Sequence, residues 1–259
     1  MITVPLLSGH ADELQRIVLE SAVDTAPSRA LVRCRRARDL RYGQPMAPGY
    51  RLAVFDLYGT LLDISGLAAR LSEMIGNDAT AMLAAWRTAQ LERTWELNRL
   101  AAYEPFDRVT AWALAKVAPE LDEALRARLV EQWLTLPAYS DAPAALRRLA
   151  AHGMRTAVLS NGTRPMVESA LGHAGLAVDD VRSVDELGVY KPDPRVYAML
   201  DAMAPVEATL FVSSNAFDAE GAKRTGRRVG FIARGGARPG VEPDLQVGSL
   251  AELAGRIAP

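Results

Sequence analysis

Polar side chains that could carry out chemistry occur in four segments of the sequence, each at or shortly after the end of a predicted strand. They are Asp56, Ser160, Asn161, Lys191, Ser213, Asn215 and Asp218. Carboxylates can act as nucleophiles or general bases, and an amine favours the ionised form of a nearby carboxylate. In an open α/β sheet, ligands bind beyond the carboxyl ends of the strands. Because a chance assembly of these groups is improbable, the sequence predicts one functional pocket that holds all of them.

Histidine and cysteine chemistry is disfavoured by the sequence. The histidines His10, His152 and His173 form no H-x-x-x-H or H-E-x-x-H pattern, and we interpret each as an ordinary surface or helix-end residue. A Ser–His–Asp hydrolase and a histidine-ligated zinc enzyme are therefore not expected. The single cysteine, Cys34, excludes an intrachain disulfide and a site with several cysteine ligands.

Apolar runs that alternate with helix patterns predict the elements that position these side chains. Strands are predicted at Arg51–Leu57, Thr156–Leu159, Val181–Val184, Thr209–Val212 and Val229–Ile232. Helices are predicted between them, one with Asp141 as its N-cap, one that reaches Met203, and a final one with Ser249 as its N-cap. This alternation indicates an α/β fold with a doubly wound, mostly parallel, Rossmann-like sheet and helices on both faces.

A long helical stretch interrupts the alternation after the first strand. Four apolar residues in it recur at a spacing of four, which places them on one helix face: Leu121, Leu125, Leu129 and Trp133. We therefore predict an inserted helical cap domain at residues 65–138. The Rossmann-like catalytic core would then consist of residues 50–64 and 139–259.

Residues 1–49 differ from the rest of the chain. They contain one plausible helix, Ala11–Ser21, no predicted strand, and an Arg-rich stretch from Leu31 to Arg41. That stretch could bind nucleic acid, but we favour a solvated tail or an over-extended translation start. We interpret residues 1–49 as an N-terminal extension that is poorly ordered or partly helical. A chain that begins at Met46 is expected to fold and to be active.

The composition is ordinary for a soluble globular protein. The chain has 259 residues, of which 49% are hydrophobic and 24% charged, and its formal net charge is -1. So small a net charge provides no field that would recruit nucleic acid or an anionic membrane. No apolar run approaches the roughly 18 residues that span a bilayer, and the N-terminus lacks the pattern of a secretory signal. A cytoplasmic location is therefore expected.

Four motifs in the predicted core resemble those of the haloacid dehalogenase superfamily. They are FDLYGTL at 55–61, LSNG at 159–162, YKPD at 190–193 and FVSSNAFD at 211–218. Their order also matches, as does the helical cap between the first two. The resemblance extends from about Leu52 to the C-terminus and is highly specific as a combination. It implies a Rossmann-like core in which Asp56 is a covalent nucleophile.

Two departures from the phosphatase pattern of this superfamily indicate a different leaving group. Phosphatases carry a general acid two residues after the nucleophile, where this chain has Tyr58. They also pair acids in the fourth motif to hold magnesium, where this chain has Ser-Ser-Asn at 213–215 and a single Asp218. A departing halide needs neither a proton nor a magnesium ion. The sequence is similar to L-2-haloacid dehalogenases, and we expect no metal and no cofactor.

The resemblance implies a role for each site residue in hydrolysing a small (S)-2-haloacid to the (R)-2-hydroxyacid and halide. Asp56 would attack the carbon that bears the halogen, and Arg87, in the cap segment WRTAQLERTW at 86–95, would receive the halide. The expected catalytic residues are Asp56, Thr60, Arg87, Ser160, Lys191, Ser213, Asn215 and Asp218. The expected substrate-binding residues are Tyr58, Arg87, Leu91, Phe106, Ser160, Asn161, Tyr197 and Phe217.

Some of these assignments leave alternatives open. Asp218 is expected to be the base for the hydrolytic water or to orient that base, and Tyr197 is nearly as well explained as a core aromatic of a helix. Arg93 stands where the family often has Tyr, and Phe217 where it often has Trp. Chain length and halogen preference of the substrate therefore stay open.

The sequence leaves three alternatives to dehalogenation. A metal-independent hydrolase on the same frame would open a strained ring, such as a cyclic imino acid, by the same attack on carbon. A magnesium-dependent phosphatase would lose its activity on chelation. A catalytically idle binding or regulatory protein is disfavoured because every polar position that the chemistry needs is filled. An apolar cap face could support a homodimer, although helix faces usually pack into the intramolecular core.

Overall fold

A computed structural model describes residues 49–234 and 238–259 of the chain, and the structural statements below concern these residues. The predicted helix Ala11–Ser21, the Arg-rich stretch and the remainder of the N-terminal extension up to residue 48 lie outside the described residues, as do His10 and Cys34.

The described part of the chain is built on a six-stranded parallel sheet, in the spatial order β3-β2-β1-β4-β5-β6. The strands are β1 (Leu52–Phe55), β2 (Arg155–Ser160), β3 (Asp180–Ser183), β4 (Thr209–Ser213), β5 (Arg228–Ile232) and β6 (Leu245–Val247). Every neighbouring pair is parallel. The prediction of a doubly wound α/β sheet is confirmed, and β1 lies at its centre.

The apolar strands bury side chains on both faces of the sheet. In β1, Phe55 packs in one hydrophobic cluster while Leu52 and Val54 pack in the other, as the alternation of side chains along a strand requires. A strand that is covered on both faces is continuously apolar, which explains the sequence LAVF. The register aligns Phe55 with Val158 of β2 and Val212 of β4. The residues that follow these strands therefore emerge at one edge of the sheet.

The described α-helices connect the strands and supply the inserted segment. They are α1 (Leu67–Ile75), α2 (Thr80–Arg99), α3 (Phe106–Val117), α4 (Glu123–Glu131), α5 (Ala142–Ala151), α6 (Arg164–His173), α7 (Pro194–Ala198), α8 (Ala216–Arg224) and α9 (Leu250–Ile257). Helices α1 to α4 lie between β1 and β2, as the sequence predicts for residues 65–138. The division of the chain into a core and a cap domain stays a prediction, and we use "core" and "cap" as names for those ranges.

Local details differ from the sequence-based expectations in three places. The helix expected to reach Met203 is the short α7, continued by a 3-10 turn at Met199–Ala202. The spacing of four that begins at Leu121 predicts one longer helix, but α4 ends at Glu131, and Trp133 lies in a 3-10 turn at Gln132–Leu134. Strand β6 was not predicted, because its three residues carry too short a pattern to stand out.

Asp141 lies at the N-cap position of α5, as predicted, but its side chain accepts no hydrogen bond from that helix. The carboxylate instead accepts the backbone N–H of Leu250 at 2.7 Å and pairs with Arg234 at 2.9 Å. The free N–H at the start of α9 and a guanidinium together attract the carboxylate more strongly than one N–H of α5. Ser249 does cap α9, accepting the N–H of Glu252 at 3.1 Å, as predicted.

Within the described residues, the search for a helix long and apolar enough to cross a membrane found none.

Candidate active site

Asp56 follows β1 directly and is held in line with the sheet. Its backbone N–H donates to the carbonyl of Val212 at 2.9 Å, which continues the pairing with β4 by one residue. The chain then turns sharply at Gly59, whose φ of 85° is one that residues with a Cβ rarely adopt. This turn brings the Thr60 hydroxyl back to donate to Asp56 Oδ2 at 3.1 Å.

Three donors from three segments hold the carboxylate of Asp56. Lys191 Nζ lies 3.2 Å from Oδ1, while Asn215 Nδ2 donates to Oδ2 at 2.7 Å, beside the bond from Thr60. The side chain is nearly buried, and the residue is 7% exposed. A buried carboxylate fixed in this way by an amine, an amide and a hydroxyl has a defined direction of attack, which covalent catalysis by a carboxylate requires.

Lys191 is a buried amine that lies between two carboxylates. Its Nζ contacts Asp218 Oδ2 at 2.8 Å as well as Asp56, and the residue is 1% exposed. Burial acts to lower the pKa of Lys191, but the carboxylates of Asp218 and Asp56 outweigh burial and the pKa is raised. The amine is therefore a permanent positive charge beside Asp56 at neutral pH.

Asp218 lies behind Lys191, with both of its oxygens engaged. Oδ2 accepts from Lys191, and Oδ1 accepts from the Tyr197 hydroxyl at 2.7 Å. Burial raises the pKa of the Asp218 carboxyl above its usual range, and nearby Lys191 opposes that rise while Asp56 adds to it. Since Asp218 does not line the cavity described below, its position favours orienting Lys191 over direct contact with a substrate.

The predicted substrate-binding residues, with the exception of Tyr197, line one small cavity at this edge of the sheet. The cavity is also bounded by the catalytic groups Asp56, Lys191 and Asn215, and it measures about 30 Å³. Its lining residues are Asp56, Tyr58, Arg87, Leu91, Phe106, Ser160, Asn161, Lys191, Asn215 and Phe217. Tyr197 is fully buried behind Asp218, so the prediction of its direct contact with substrate finds no support in its position.

Ser160 and Asn161 present unused donors to the cavity. Ser160 Oγ accepts the N–H of Gly162 at 3.0 Å, and Asn161 Oδ1 accepts the backbone N–H of Lys191 at 3.0 Å. Within the described residues, neither the Ser160 hydroxyl hydrogen nor the Asn161 NH₂ group has an acceptor. Both side chains are thereby anchored through their acceptor oxygens and can donate to an anionic ligand.

Arg87 is the cation that the cap contributes to the lining of the cavity. It belongs to α2 in the cap, and its Cζ lies 5.2 Å from the ring centroid of Trp133. Burial lowers the pKa of Arg87, and the negative charge of Asp56 opposes this effect. An arginine nevertheless stays charged at neutral pH. The cavity is therefore lined by both a nucleophilic carboxylate and an arginine, a pairing suited to a substrate whose leaving group departs as an anion.

Phe217 and Arg93, which differ from the residues that the family often has, lie in different surroundings. Phe217 lines the cavity and packs edge-on against Trp95, with ring centroids 6.0 Å apart. Arg93 does not line the cavity; its guanidinium pairs with Glu96 and Glu104 and lies over the Trp112 ring. The charge of Arg93 is therefore balanced within the cap, and the cap residue that brings a positive charge to the cavity is Arg87.

Two serines of the fourth motif do not line the cavity: Ser213, which was predicted to be catalytic, and Ser214, which was assigned no role from the sequence. Ser213 Oγ accepts the backbone N–H of Asn215 at 3.0 Å, so it positions Asn215 from outside the cavity. Ser214 donates to the carbonyl of Gly59 at 2.7 Å, and its N–H donates to Thr60 Oγ1 at 3.0 Å. Ser214 thus locks the turn after the nucleophile, and the only sequence signal for this is its place in the fourth motif.

Gly221 of α8 makes room for Tyr197, and this close approach yields a testable expectation. A Cβ at Gly221 would lie 2.5 Å from Tyr197 Oη and 2.8 Å from Pro192 Cβ. We expect Gly221→Ala to displace the hydroxyl from Asp218 and to lower the free energy of unfolding by about 1–3 kcal/mol, measured by urea denaturation. Gly255→Ala in α9 is the matched control, because its Cβ meets nothing within 4 Å. An unchanged free energy of unfolding in Gly221→Ala would contradict this close packing of Gly221 against Tyr197.

The fold and the site define an α/β enzyme with a strand-end carboxylate, a buried amine and an inserted set of helices that closes the cavity. A family model described as haloacid dehalogenase-like hydrolase matches residues 50–226. The chain belongs to this family of haloacid dehalogenase-like hydrolases.

Relatives of known activity cover most of the chain. An (S)-2-haloacid dehalogenase from Pseudomonas sp. (strain YL) is 38% identical over 207 residues, which is 76% of this chain and 89% of that protein. The (S)-2-haloacid dehalogenase 4A of Burkholderia cepacia is 36% identical over 219 residues, 80% of this chain and 95% of that protein. The solved structure of L-2-haloacid dehalogenase from Xanthobacter autotrophicus with chloropropionic acid covalently bound is 30% identical, covers 79% of this chain and 97% of that one, and has a TM-score of 0.73.

Proposed function

We propose that this protein hydrolyses small (S)-2-haloacids to (R)-2-hydroxyacids and halide through an aspartyl ester on Asp56. The observation that carries the proposal is that one small cavity is lined by both Asp56, whose carboxylate is held by three donors, and the cationic Arg87. The relatives described as (S)-2-haloacid dehalogenases support it independently.

In the first step, a carboxylate oxygen of Asp56 attacks the carbon that bears the halogen. A new carbon–oxygen bond forms, the carbon–halogen bond breaks, and the halide leaves with the bonding electrons and with inversion at carbon. Lys191 Nζ, 3.2 Å from Asp56 Oδ1, places a positive charge beside the nucleophile and orients its carboxylate for the attack. Arg87 receives the halide, because its planar cation with five donors suits a diffuse anion.

Substrate orientation comes from the free donors on the core side of the cavity. The Ser160 hydroxyl and the Asn161 NH₂ group bind the carboxylate of the substrate. This contact holds the reacting carbon about 3–3.5 Å from the nucleophile, within the near-attack range. The walls of Leu91, Phe106 and Phe217 exclude water, which strengthens the electrostatic interactions inside.

In the second step, water attacks the carbonyl carbon of the Asp56 ester. The bond between that carbon and the ester oxygen breaks, and the hydroxyacid leaves with the oxygen that Asp56 contributed. One water oxygen remains on Asp56, one proton goes to the hydroxyacid, and a second proton passes to solvent. Asn215 places the water, Ser213 positions Asn215, and Asp218 acts on the step by orienting Lys191.

Substrate entry requires movement of the cavity walls. A volume of about 30 Å³ holds a water molecule, and a 2-haloacid is larger. Arg87 and Leu91 lie on α2 and Phe106 begins α3, so an outward shift of these cap helices widens the cavity. The site therefore favours the smallest 2-haloacids, which need the least opening.

The experiment that tests this function is chloride release from L- and D-2-chloropropionate in the presence of a chelator. We expect release from the L-enantiomer only, with no loss in the chelator, because both oxygens of Asp218 are already engaged by Lys191 and Tyr197. Absence of chloride from both enantiomers would contradict the proposal. Ring opening of a cyclic imino acid, or magnesium-dependent phosphate release, would then identify the alternatives weighed from the sequence.

The proposal extends to the setting of the enzyme. Four properties stay predictions: the division of the chain into core and cap, action on a small-molecule substrate without nucleic acid or membrane, formation of a homodimer, and a cytoplasmic location.

A further inference from the structure

Trp133 packs against the guanidinium of Arg87, although sequence analysis singled it out only as part of an apolar helix face. The residue is 2% exposed, and its ring centroid lies 5.2 Å from Arg87 Cζ. A cation within about 6 Å of an indole ring is attracted by the negative face of that ring, and the attraction is greater where water is excluded.

Two further aromatic rings fix the indole of Trp133. Tyr58, in the turn after β1, packs edge-on at 5.8 Å and 80°, and Trp86 of α2 packs edge-on at 5.6 Å and 85°. Trp86 is itself anchored, because its Nε1 donates to the carbonyl of Thr110 at 2.8 Å. The indole of Trp133 is therefore held by one residue of the core, Tyr58, and one residue of the cap, Trp86.

Arg87 is held without the use of its donors. Among the residues that the structure describes, no carboxylate or carbonyl accepts a hydrogen bond from it, and the negative charge of Asp56 acts on it only through space. A carboxylate partner would have occupied its N–H groups and balanced its charge. An aromatic face does neither, so the donors in the guanidinium plane stay free for an anion in the cavity.

We propose that Trp133 is a positioning residue for halide departure, holding Arg87 in place with its indole ring, over which the guanidinium carbon lies. This inference rests on the proposed function. Loss of the indole weakens halide binding and slows the first step most for halides that leave poorly. It leaves the binding of the substrate carboxylate by Ser160 and Asn161 unchanged.

The test compares two competitive inhibitors, bromide and propionate, in the full-length enzyme. We expect Trp133→Leu to raise the inhibition constant of bromide about tenfold, the size of a cation–π contact away from water. Propionate, which has no halide, should change less than about twofold on the same principle. The ratio of kcat for 2-chloropropionate to kcat for 2-bromopropionate should fall. A parallel rise of both inhibition constants, or no change in either, would overturn the proposal.

Two variants make the test specific to Trp133. Trp133→Phe keeps an aromatic ring that attracts a cation more weakly, so it should raise the inhibition constant of bromide by a smaller factor. This variant still tests the proposal if Trp133→Leu folds poorly. Trp112→Leu is the matched control. The charged groups of Arg93 and Lys116 lie over the Trp112 ring, and none of the three residues lines the cavity. We expect Trp112→Leu to leave the bromide constant unchanged.

Chloride binding without turnover separates this inference from the proposed function. The ³⁵Cl NMR line of chloride broadens on binding to protein, and we expect Trp133→Leu to remove most of the broadening seen with the unchanged enzyme. If that result is obtained while no 2-chloropropionate is hydrolysed, the proposed function fails, whereas the placement of Arg87 by Trp133 for halide binding stands. If hydrolysis occurs and the broadening is equal in both proteins, the inference fails.

Discussion

Asp56→Asn is expected to lower the rate of chloride release from L-2-chloropropionate by at least about 10⁴-fold, a loss typical of removing a nucleophile. The amide keeps the shape of the side chain but has no anionic oxygen to attack carbon. Initial rates measured with excess enzyme are sensitive enough to detect this loss. Mass spectrometry of the variant must accompany them, because deamidation of the introduced asparagine would regenerate the nucleophile.

The matched control for this substitution is Asp63→Asn, seven positions further along the chain. Its carboxylate accepts the N–H of Ser65 and does not line the cavity, so its activity should stay close to that of the unchanged enzyme. An Asp56→Asn protein that is free of deamidation and retains about a hundredth of the activity would contradict covalent catalysis by Asp56, given the losses that nucleophile removal causes.

Lys191→Met is expected to abolish activity and to lower the free energy of unfolding by about 3–5 kcal/mol, the usual cost of removing one partner of a buried ion pair. The substitution leaves Asp56 and Asp218 facing each other without the amine that now lies 3.2 and 2.8 Å from them. Urea denaturation at pH 7 measures the stability, and chloride release measures the activity.

The stability deficit of Lys191→Met should depend on pH in a defined direction. Burial already raises the pKa of Asp218 and Lys191 opposes this rise, so removal of the amine raises the pKa further. A carboxyl group whose pKa is raised in the folded state favours folding at low pH, and this contribution is lost as the pH rises through the folded-state pKa. The deficit should therefore shrink as the pH falls from 8 to 5.

A second substitution separates stability from catalysis. Adding Asp218→Asn to Lys191→Met removes one of the two uncompensated charges and should recover part of the stability, while the activity stays absent. Equal stability of the single and double variants would contradict the view that the amine compensates both carboxylates. Recovered activity would contradict the role of Lys191 in orienting Asp56 for the attack.

The sequence was informative where local pattern and tertiary structure agree. Five of the strands could be predicted, and all of these except β3, whose sequence is DVRS, contain an apolar run. Ser249 could be recognised as a cap from its own neighbours. Asp141 could not, since its partners Leu250 and Arg234 are about a hundred residues away. The short β6 also depends on its pairing with β5 for its existence.

The same limit applies to the site. The strand-end rule placed Asp56, Ser160 and Lys191 together, because each follows or accompanies a strand of one parallel sheet. It could not reveal that Tyr197 faces Asp218 and not the cavity, since a buried helix aromatic looks the same in either case. Nor could it reveal the contact of Trp133 with Arg87, which depends on how the cap helices pack.

The most direct test of the central claim is a single turnover of 2-chloropropionate in H₂¹⁸O, with enzyme in excess over substrate. We expect the hydroxyacid to contain no ¹⁸O, because its new oxygen comes from Asp56, and the peptide containing Asp56 to gain one ¹⁸O. Labelled hydroxyacid with an unlabelled Asp56 would contradict the account, because water would then have attacked the substrate carbon directly.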